Sequence, residues 1–339
     1  MLFLRKFILF FLVVVIEQTY AQDTSYNELT TIVVSANKLK EKRIVTPIAI
    51  TVLSPKTIEE TKAQRIDYLL NKVSGVYMPT IGNEQHMMSI RQPISLKGLY
   101  LYLEDGMPIR TSGLFSSNAL IEINTSNIQS IEIIKGPASA LYGAEAIGGV
   151  VNVISSSIAE KPTAFISTQF NTTGYKKIEG AWTGPSKTGG WLINVGWTDQ
   201  KNGITEYSDF YKKALSLKRS FGADKKLKGY QNIQYINYFT QMTGSLDSIK
   251  FFQKNFSTQQ TFTFRKIDAL RFRQNLEYDW SKNSNLSLNL MFRNNTMDQN
   301  PAYAIASTLN PTKFKGQVDR KSTRLNSSHI PLSRMPSSA

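Results

Sequence analysis

Side chains able to bind a metal or carry out a reaction are scarce in this sequence. His86, Met87 and Met88 are adjacent in the stretch NEQHMM, and an imidazole beside two thioethers is a soft ligand set that suits copper or haem. The other histidine is His329, near the C-terminus, and the chain has no cysteine. We find no histidine–carboxylate set and no nucleophile–base pair, so the sequence predicts neither an enzyme nor a resident cofactor.

A glycine-rich segment between two β-prone runs is the second candidate for a binding site. It reads EIIKGPASALYGAEAIGGVVNVIS over residues 132–155. A phosphate-binding loop would need Lys-Ser or Lys-Thr after its glycines, or the spacing of a dinucleotide turn, and the segment has neither. The residues predict instead a strand ending at Gly136, a short turn with Pro137 at its first helical position, and a second strand. The glycines available for positive φ in between are Gly143, Gly148 and Gly149.

The composition predicts a folded protein and gives little support for nucleic-acid binding. Of the 339 residues, 41% are hydrophobic and 19% are charged, which is ordinary for a folded chain. The formal net charge is +15, yet the basic residues are scattered and form no basic helix or stripe. We therefore expect no nucleic-acid partner.

The first 21 residues have the pattern of a secretory signal peptide. Arg5 and Lys6 precede ten apolar residues in a row, and Ala21 ends a small-residue cleavage pattern. A buried amphipathic helix is the alternative, but the apolar run has no polar face. We therefore expect the mature chain to begin at Gln22.

Residues 22–42 are polar apart from one β-prone run, TTIVVSA at residues 30–36. No neighbouring segment looks able to pair with this run, so we expect an extended strand between flexible linkers. It is open to two interpretations. It could be an edge strand of the next domain, or a strand presented for capture by another protein's sheet through β-augmentation.

Residues 43–156 have the mixed pattern of a small α+β domain. PIAITVLS at residues 47–54 is predicted as a strand from its β-branched content. One helix is expected to follow, with Ser54 or Thr57 as its N-cap and Gly75 at its end. Further strands are predicted in GVYM, LYLYLEDG, NIQSIEIIKGP and VVNVI, and the apolar residues of the helix at helical spacing are Ile66, Leu69, Leu70 and Val73.

From about residue 162 apolar and polar residues alternate. In RFRQNLEYDW (271–280) one face is apolar or aromatic, whereas the other carries Arg271, Arg273, Asn275, Glu277 and Asp279. A soluble sandwich alternates in the same way. Three features favour a membrane barrel instead: charges on the polar faces, aromatics at the strand ends, and strands of about ten residues. We count some eight strands between residues 157 and 319.

The last residues differ in composition from the rest. From about Asp319 the chain becomes rich in Ser and Arg and loses the aromatic alternation. We predict that residues 320–339 are a non-native tail outside the fold. A natural disordered tail is the alternative.

Taken in this order, the parts resemble the TonB-dependent outer-membrane receptors. The resemblance covers residues 30–319 and is carried by three plug-domain motifs in order, SIR (89–91), LYLEDGMPI (101–109) and the glycine-rich segment. It implies an α+β plug domain at residues 43–156 inside a 22-stranded antiparallel transmembrane β-barrel. A closed eight-stranded barrel is filled by its own side chains, so residues 157–319 would form an incomplete barrel in a C-terminally truncated receptor.

The resemblance also implies a function, a location and partners. Receptors of this family take up a scarce ligand, such as a ferric siderophore, haem, cobalamin or another metal complex, across the Gram-negative outer membrane. TonB, with its inner-membrane energising complex, would drive the uptake by pairing with the TonB box. An outer-membrane ligand-binding or adhesin module without active transport is the alternative. The expected TonB-binding residues are Thr31, Ile32, Val33, Val34 and Ser35.

Plug residues receive roles by the same resemblance. Arg91, Glu132 and Lys135 are expected to contact the barrel, although Lys135 stands where the family has arginine and lacks its bidentate fork. Gln92 replaces a family glycine. The hinge of the plug would be formed by Gly136, Pro137, Gly143, Gly148 and Gly149.

The loop that contains His86, Met87 and Met88 lies where members of the family often touch ligand. The alternative is that Met88 points inward and His86 is an exposed loop residue.

Overall fold

The computed structural model describes residues 48–300 with gaps at 96–97, 110–115, 144, 224, 245, 259–260 and 282–283. It also describes the backbone of three strands outside this range, β1 (Ile32–Val33), β2 (Glu41–Lys42) and β17 (Thr312–Ser327). The described residues form a small mixed domain, which we call the plug, and an eight-stranded sheet packed against it, which we call the wall.

The plug is built on a five-stranded sheet in the order β3-β8-β9-β6-β7. Strands β6 and β9 run parallel, and the other neighbours are antiparallel. Every residue of β6 is buried, because this strand has neighbours on both edges and is covered on both faces. The strands are β3 (Ile50–Leu53), β6 (Tyr100–Glu104), β7 (Met107–Pro108), β8 (Ile128–Ile134) and β9 (Gly149–Ser155), and a separate pair is formed by β4 (Val76–Tyr77) and β5 (Ser89–Ile90).

The segment predicted as one helix forms two. Helix α1 (Pro55–Thr61) begins after Ser54, whose hydroxyl accepts a hydrogen bond from the Thr57 amide, and ends at Lys62 with φ of 46°. Helix α2 (Ile66–Leu70) follows. The left-handed residue interrupts the helical path, so the prediction of a continuous helix is wrong. The predicted apolar face is buried in the plug core at Ile66, Leu69, Leu70 and Val73.

The glycine-rich segment forms a turn between β8 and β9. Gly143 and Gly149 take positive φ, as predicted, whereas Gly148 does not. Gly136 also takes positive φ, and helix α3 (Ser139–Tyr142) lies between Gly136 and Gly143. Pro137 precedes the helix by two residues and is not its first residue, which corrects the prediction. Gly148 and Gly149 are required by close packing: a Cβ would lie 2.6 Å from the Tyr100 ring at Gly148 and 2.6 Å from the Ile134 carbonyl oxygen at Gly149.

The wall consists of eight antiparallel strands paired in sequence order. The number agrees with the sequence-based count, but the last strand extends to Ser327, eight residues beyond Asp319. Part of the predicted tail therefore pairs with its neighbour, while residues 328–339 lie outside the described residues. The first seven strands are β10 (Thr163–Phe170), β11 (Tyr175–Ser186), β12 (Gly189–Gln200), β13 (Phe210–Phe221), β14 (Leu227–Gln241), β15 (Phe264–Ser281) and β16 (Ser284–Asn300).

The two faces of the wall differ in polarity. Polar side chains such as Asn194, Arg271 and Arg273 are buried against the plug, whereas Val195 and Trp280 are exposed on the opposite side. The alternation in the sequence thus separates a plug-facing polar side from an outward apolar side. No helix among the described residues is long and apolar enough to cross a membrane.

The connections between wall strands differ in length at the two ends. Residues 187–188, 222–226 and 282–283 are short connections at one end. At the other end residues 171–174 form a short connection, and residues 201–209 and 242–263 form longer ones. The longest connection contains helix α4 (Ser248–Phe252). In outer-membrane barrels the short turns are periplasmic and the long loops extracellular. We therefore refer to the long-loop end as the outer end.

We predict that Gly149→Ala lowers the free energy of unfolding by about 1 to 3 kcal/mol, because the added methyl group meets a backbone oxygen that cannot move aside. Gly180→Ala is the matched control, since its Cβ would meet only ordinary contacts at 3.5 Å or more. Urea unfolding of the detergent-solubilised chain measures both variants. Equal stability of the two variants would contradict the packing argument.

Candidate functional site

The plug and the inner face of the wall meet through buried groups of opposite charge. The plug supplies the carboxylates, and the wall supplies lysines and arginines. The plug groups are Glu84, Glu104, Asp105 and Glu122, and the wall groups are Lys212, Lys218, Arg271, Arg273 and Arg293.

Glu104 ends strand β6 and is 2% exposed. Its Oε2 lies 3.0 Å from Arg271 Nη1 and 3.7 Å from Arg273 Nη2, and its Oε1 accepts a hydrogen bond from the amide of Gln234. One plug carboxylate therefore holds two wall arginines that are two residues apart on β15. Removing a carboxylate of this kind would leave buried positive charge without compensation, which is costly in a protein interior.

Glu122 is fully buried in a 3₁₀ segment that spans residues 116–122. Arg293 binds it with two parallel hydrogen bonds, Nη2 to Oε1 at 2.7 Å and Nε to Oε2 at 3.1 Å. Arg271 donates to the Glu122 carbonyl oxygen. Bidentate arginine–carboxylate pairs fix geometry as well as charge, so this contact sets the position of the plug against strands β15 and β16.

Asp105 connects the plug turn, the last plug strand and the wall. Its carboxylate accepts hydrogen bonds from the Ser155 amide and hydroxyl at 2.8 and 2.7 Å and from Arg273 Nη1 at 2.8 Å. Burial alone would raise the pKa of Asp105, but the charges of Lys218 and Arg273 and the bonds from Ser155 outweigh it and hold this pKa below its ordinary value. Asp105 is thus held as an anion at the residue where the plug sheet ends.

A pocket of about 430 Å³ lies between plug and wall at the outer end. Arg65 lies over the Tyr68 ring at 4.8 Å and is fixed by two hydrogen bonds to Asp67, so the pocket presents an immobilised planar cation. Most of its other lining groups are amides and hydroxyls, among them Gln64, Thr80, Asn83, Gln200, Ser208 and Gln241. The pocket suits a polar molecule with several acceptors.

One plug loop links this pocket to the wall. Asn83 and Glu84 both have positive φ, 43° and 67°, a conformation that few side chains adopt and that surrounding contacts must hold. The Asn83 amide donates to the Ser208 carbonyl and the Thr240 hydroxyl, each at 2.9 Å, and Glu84 pairs with Lys212 at 2.6 Å. A ligand in the pocket would therefore touch a loop that the wall holds in a strained shape.

The predicted ligand residues lie just beyond this loop, and two of them, His86 and Met88, are buried. His86 is fully buried: its Nδ1 lies 2.9 Å from the Glu84 carbonyl oxygen, and its ring meets Tyr102 edge-on. Met88 belongs to the plug core, as the alternative had it, but the alternative is wrong in making His86 an exposed residue; Met87 is half-buried. This burial argues against ligand contact by His86 and Met88. Within the described part of the chain no cluster of three or more His, Cys, Asp or Glu could hold a metal ion.

The predicted plug–barrel residues lie on a different side of the plug. Arg91 is exposed and points its Nη1 at the Lys135 carbonyl oxygen, 3.5 Å away, and Lys135 Nζ donates to the Ser74 carbonyl at 2.6 Å. Glu132 is buried and accepts from Asn152 within the plug. The contacts described for these three residues are within the plug, so their role toward a barrel stays a prediction.

The predicted TonB box falls mostly outside the described residues. Thr31, Val34 and Ser35 are not described, whereas Ile32 and Val33 form β1 and pair with Lys42 and Glu41 of β2. The prediction that this run has no partner nearby is therefore wrong. Within the described part of the chain β1 is paired on one edge only.

Sequence reasoning assigned no role to the interface charges. Arg271 and Arg273 were placed together on the polar face of their strand, and Glu104 and Asp105 lie inside the LYLEDGMPI motif. The signal available was charge at inward positions of a strand whose other face is apolar. The ion pairs join residues 128 to 171 positions apart, which a local pattern does not encode.

Comparison with known proteins agrees with this architecture. Residues 42–150 match the family model described as the TonB-dependent receptor plug domain. The vitamin B12 transporter BtuB of Vibrio vulnificus (strain CMCP6) is 31% identical over 186 residues, which are 55% of this chain and 30% of the transporter. The chain thus spans less than a third of that relative.

Solved structures show the same fold at low sequence identity. The siderophore receptor PiuA from Acinetobacter baumannii gives a TM-score of 0.71 at 18% identity, over 88% of this chain and 45% of the receptor. The unliganded ferric citrate transporter FecA gives 0.68 at 15% identity, over 80% of this chain and 43% of the transporter. The ferric preacinetobactin receptor BauA, also from A. baumannii, gives a TM-score of 0.69 at 17% identity, over 87% of this chain and 46% of the receptor.

We predict that Lys212→Met destabilises the protein by about 3 to 5 kcal/mol, because it leaves Glu84 buried without its cation. Lys228→Met is the matched control: Lys228 pairs with Asp279 at 2.8 Å, but both side chains are more than a third exposed, so the loss should stay below about 1 kcal/mol. Urea unfolding at pH 7 compares them. A loss of similar size in both variants would be evidence against a special role for the buried pair.

The pKa of Asp105 makes the fold sensitive to acid. Because this pKa is lower in the folded than in the unfolded chain, the carboxylate stabilises the fold above the ordinary aspartate pKa of about 3.9, and this contribution is lost as the pH falls below it. We expect Asp105→Asn to be less stable than the parent at pH 7 and closer to it at pH 3. Unfolding curves at both values test this, and a stability gap that is independent of pH would contradict it.

Proposed function

The chain belongs to the TonB-dependent receptors, and we propose that it admits a scarce metal complex through the outer membrane of a Gram-negative cell, driven by TonB. The observation that carries the proposal is the presence of three parts in one chain. A polar pocket lies at the outer end, a plug packs against the inner face of the wall, and the strand β1 precedes the plug in the chain.

The cargo we propose is an iron–siderophore or cobalamin-type complex. The names of the similar proteins support this class: the relative found by sequence is a vitamin B12 transporter, and the structural neighbours include receptors for siderophores and ferric citrate. The pocket contacts would come from Arg65, Tyr68 and the amides around them, with Met87 as a further candidate. Haem and other metal complexes are further cargo within the same proposal.

Closure of the pathway would depend on the plug–wall ion pairs. Cargo in the pocket touches Gly82 and Asn83, and the next residue, Glu84, is tied to Lys212. Displacing this strained loop would loosen one ion pair at the outer end. The bonds of Glu104 and Glu122 to the arginines lie deeper, so we propose that they open only under the pull of TonB.

TonB would bind by adding a strand to the segment that contains β1. In this mode main-chain hydrogen bonds carry the affinity, and β-branched residues favour the extended backbone. The residues around it in the sequence, such as Asn27, Glu28 and Asn37, are polar. Lipid of the outer membrane would contact the apolar outward face of the wall, and we propose no nucleic-acid partner.

We predict that Val33→Pro abolishes binding of the chain to the periplasmic C-terminal domain of TonB, because proline removes a backbone donor and disrupts strand pairing. Val33→Thr keeps the β-branched backbone preference and should bind within about threefold of the parent. Fluorescence anisotropy with the labelled TonB domain and the detergent-solubilised chain measures both. If the parent chain does not bind TonB, active transport is contradicted, and an outer-membrane ligand-binding or adhesin module becomes the better reading.

A further inference from the structure

The inner face of the wall carries like charges side by side. In the antiparallel register Arg271 of β15 is directly opposite Arg293 of β16, and Arg273 is two residues further along. All three are buried, with 3 to 4% of each residue exposed. Like charges directly opposite each other destabilise a sheet. The wall therefore tolerates this pair only with anions between the side chains, and Glu104 and Glu122 of the plug fill that place.

These arginines belong to a longer row of cations. At the outer end Arg265 and Lys212 face inward. At the inner end Lys218 of β13 is directly opposite Asn232 of β14, which in turn is opposite Arg273 of β15. Along β15, Arg265 and Arg273 are eight residues apart, which is about 27 Å at the rise of a strand. We call these groups the cation column: Arg265, Lys212, Arg271, Arg293, Arg273 and Lys218.

Within strands β13 to β16, whose inward side chains are described, the column has no acidic neighbour on its own face. The inward positions of β13 to β16 that lie level with β15 residues 265–273 are all described. They hold basic, amide, hydroxyl or apolar side chains. Asp268 and Asp298 occupy outward positions. Its negative partners come from the plug, and plug movement would take them away.

The hydrogen bonds at the centre leave donors available. Arg271 Nη1 and Arg273 Nε are buried and make no hydrogen bond of good geometry, and the same holds for Glu104 Oε2, which lies only 3.0 Å from Arg271 Nη1. Two carboxylates thus neutralise the arginines without using all the donors. An anion whose oxygens meet these donors at hydrogen-bonding angles would be a better partner for this site.

We infer that the cation column is a pathway for an anionic cargo, and that Glu104 and Glu122 occupy its central anion site while the plug is in place. This inference rests on the proposed function and narrows it. A metal complex with carboxylate or catecholate oxygens and a net negative charge would compensate the column as the plug leaves. Vitamin B12, which has no net charge, would leave the arginines without compensation.

The test uses the full chain in detergent with citrate as the anionic probe. In Glu104→Gln/Glu122→Gln the central site loses its carboxylates, so the midpoint of thermal unfolding should fall and citrate should restore it. We expect citrate to bind at least tenfold more tightly to this variant than to the parent by isothermal titration calorimetry. Glu104→Gln alone, which keeps the Glu122–Arg293 pair, is the milder variant should the double variant fail to fold, and a threefold gain is expected for it.

Three controls decide the result. Adding Arg271→Gln and Arg293→Gln to the double variant should remove the citrate response, and vitamin B12 should produce none. Sodium chloride at matched ionic strength should reverse only a small part of the decrease in the midpoint of thermal unfolding. The inference is overturned if citrate binds the parent and the variant equally, if the response survives without the arginines, or if chloride reproduces it.

The outcome can be separated from that of the proposed function. TonB binding depends on the segment around Val33 and does not involve the column. If TonB binding fails while the citrate response holds, transport is contradicted but the anion site is supported. If citrate fails while TonB binds, the receptor role stands and the cargo is not selected by this charge.

Discussion

Buried charge pairs between plug and wall are the constraint on which the rest of the structure depends. The wall brings arginines together on neighbouring strands, and their repulsion is offset by carboxylates of the plug. Removing one partner of a buried pair is far more costly than removing an exposed pair, because the remaining charge cannot return to water. The plug is therefore held by a few strong contacts whose loss would also destabilise the wall.

The positions of the smaller features follow from this constraint. Asp105 lies at the end of the central strand and joins Ser155, where the chain leaves the plug, to Arg273 of the wall. At the outer end Glu84 holds a strained loop at the rim of the pocket through Lys212. Gly148 packs closely on β6 and Gly149 on β8, which fixes the position of β9, the last strand of the plug. The carboxylate of Glu104, at the end of β6, is thereby held at a fixed position relative to the wall.

Local patterns predicted the elements better than their contacts. Alternation predicted which residues of β15 face inward, and the ordered motifs located the plug, because both properties depend on neighbouring residues. The break at Lys62 was missed because its left-handed backbone has no strong sequence signal in a non-glycine residue. The burial of His86 and the partners of Glu104 and Glu122 depend on contacts between distant segments, which periodicity does not encode.

A double-mutant cycle between Glu122 and Arg293 measures the central interaction most directly. The free energies of unfolding of Glu122→Gln, Arg293→Met and the combined variant, referred to the parent, give the coupling between plug and wall. If the wall arginines hold the plug, the coupling energy exceeds about 1.5 kcal/mol, and the combined variant is more stable than the sum of the two losses predicts. Losses that add to within about 0.5 kcal/mol would contradict the account, since additivity is the behaviour of residues that do not interact.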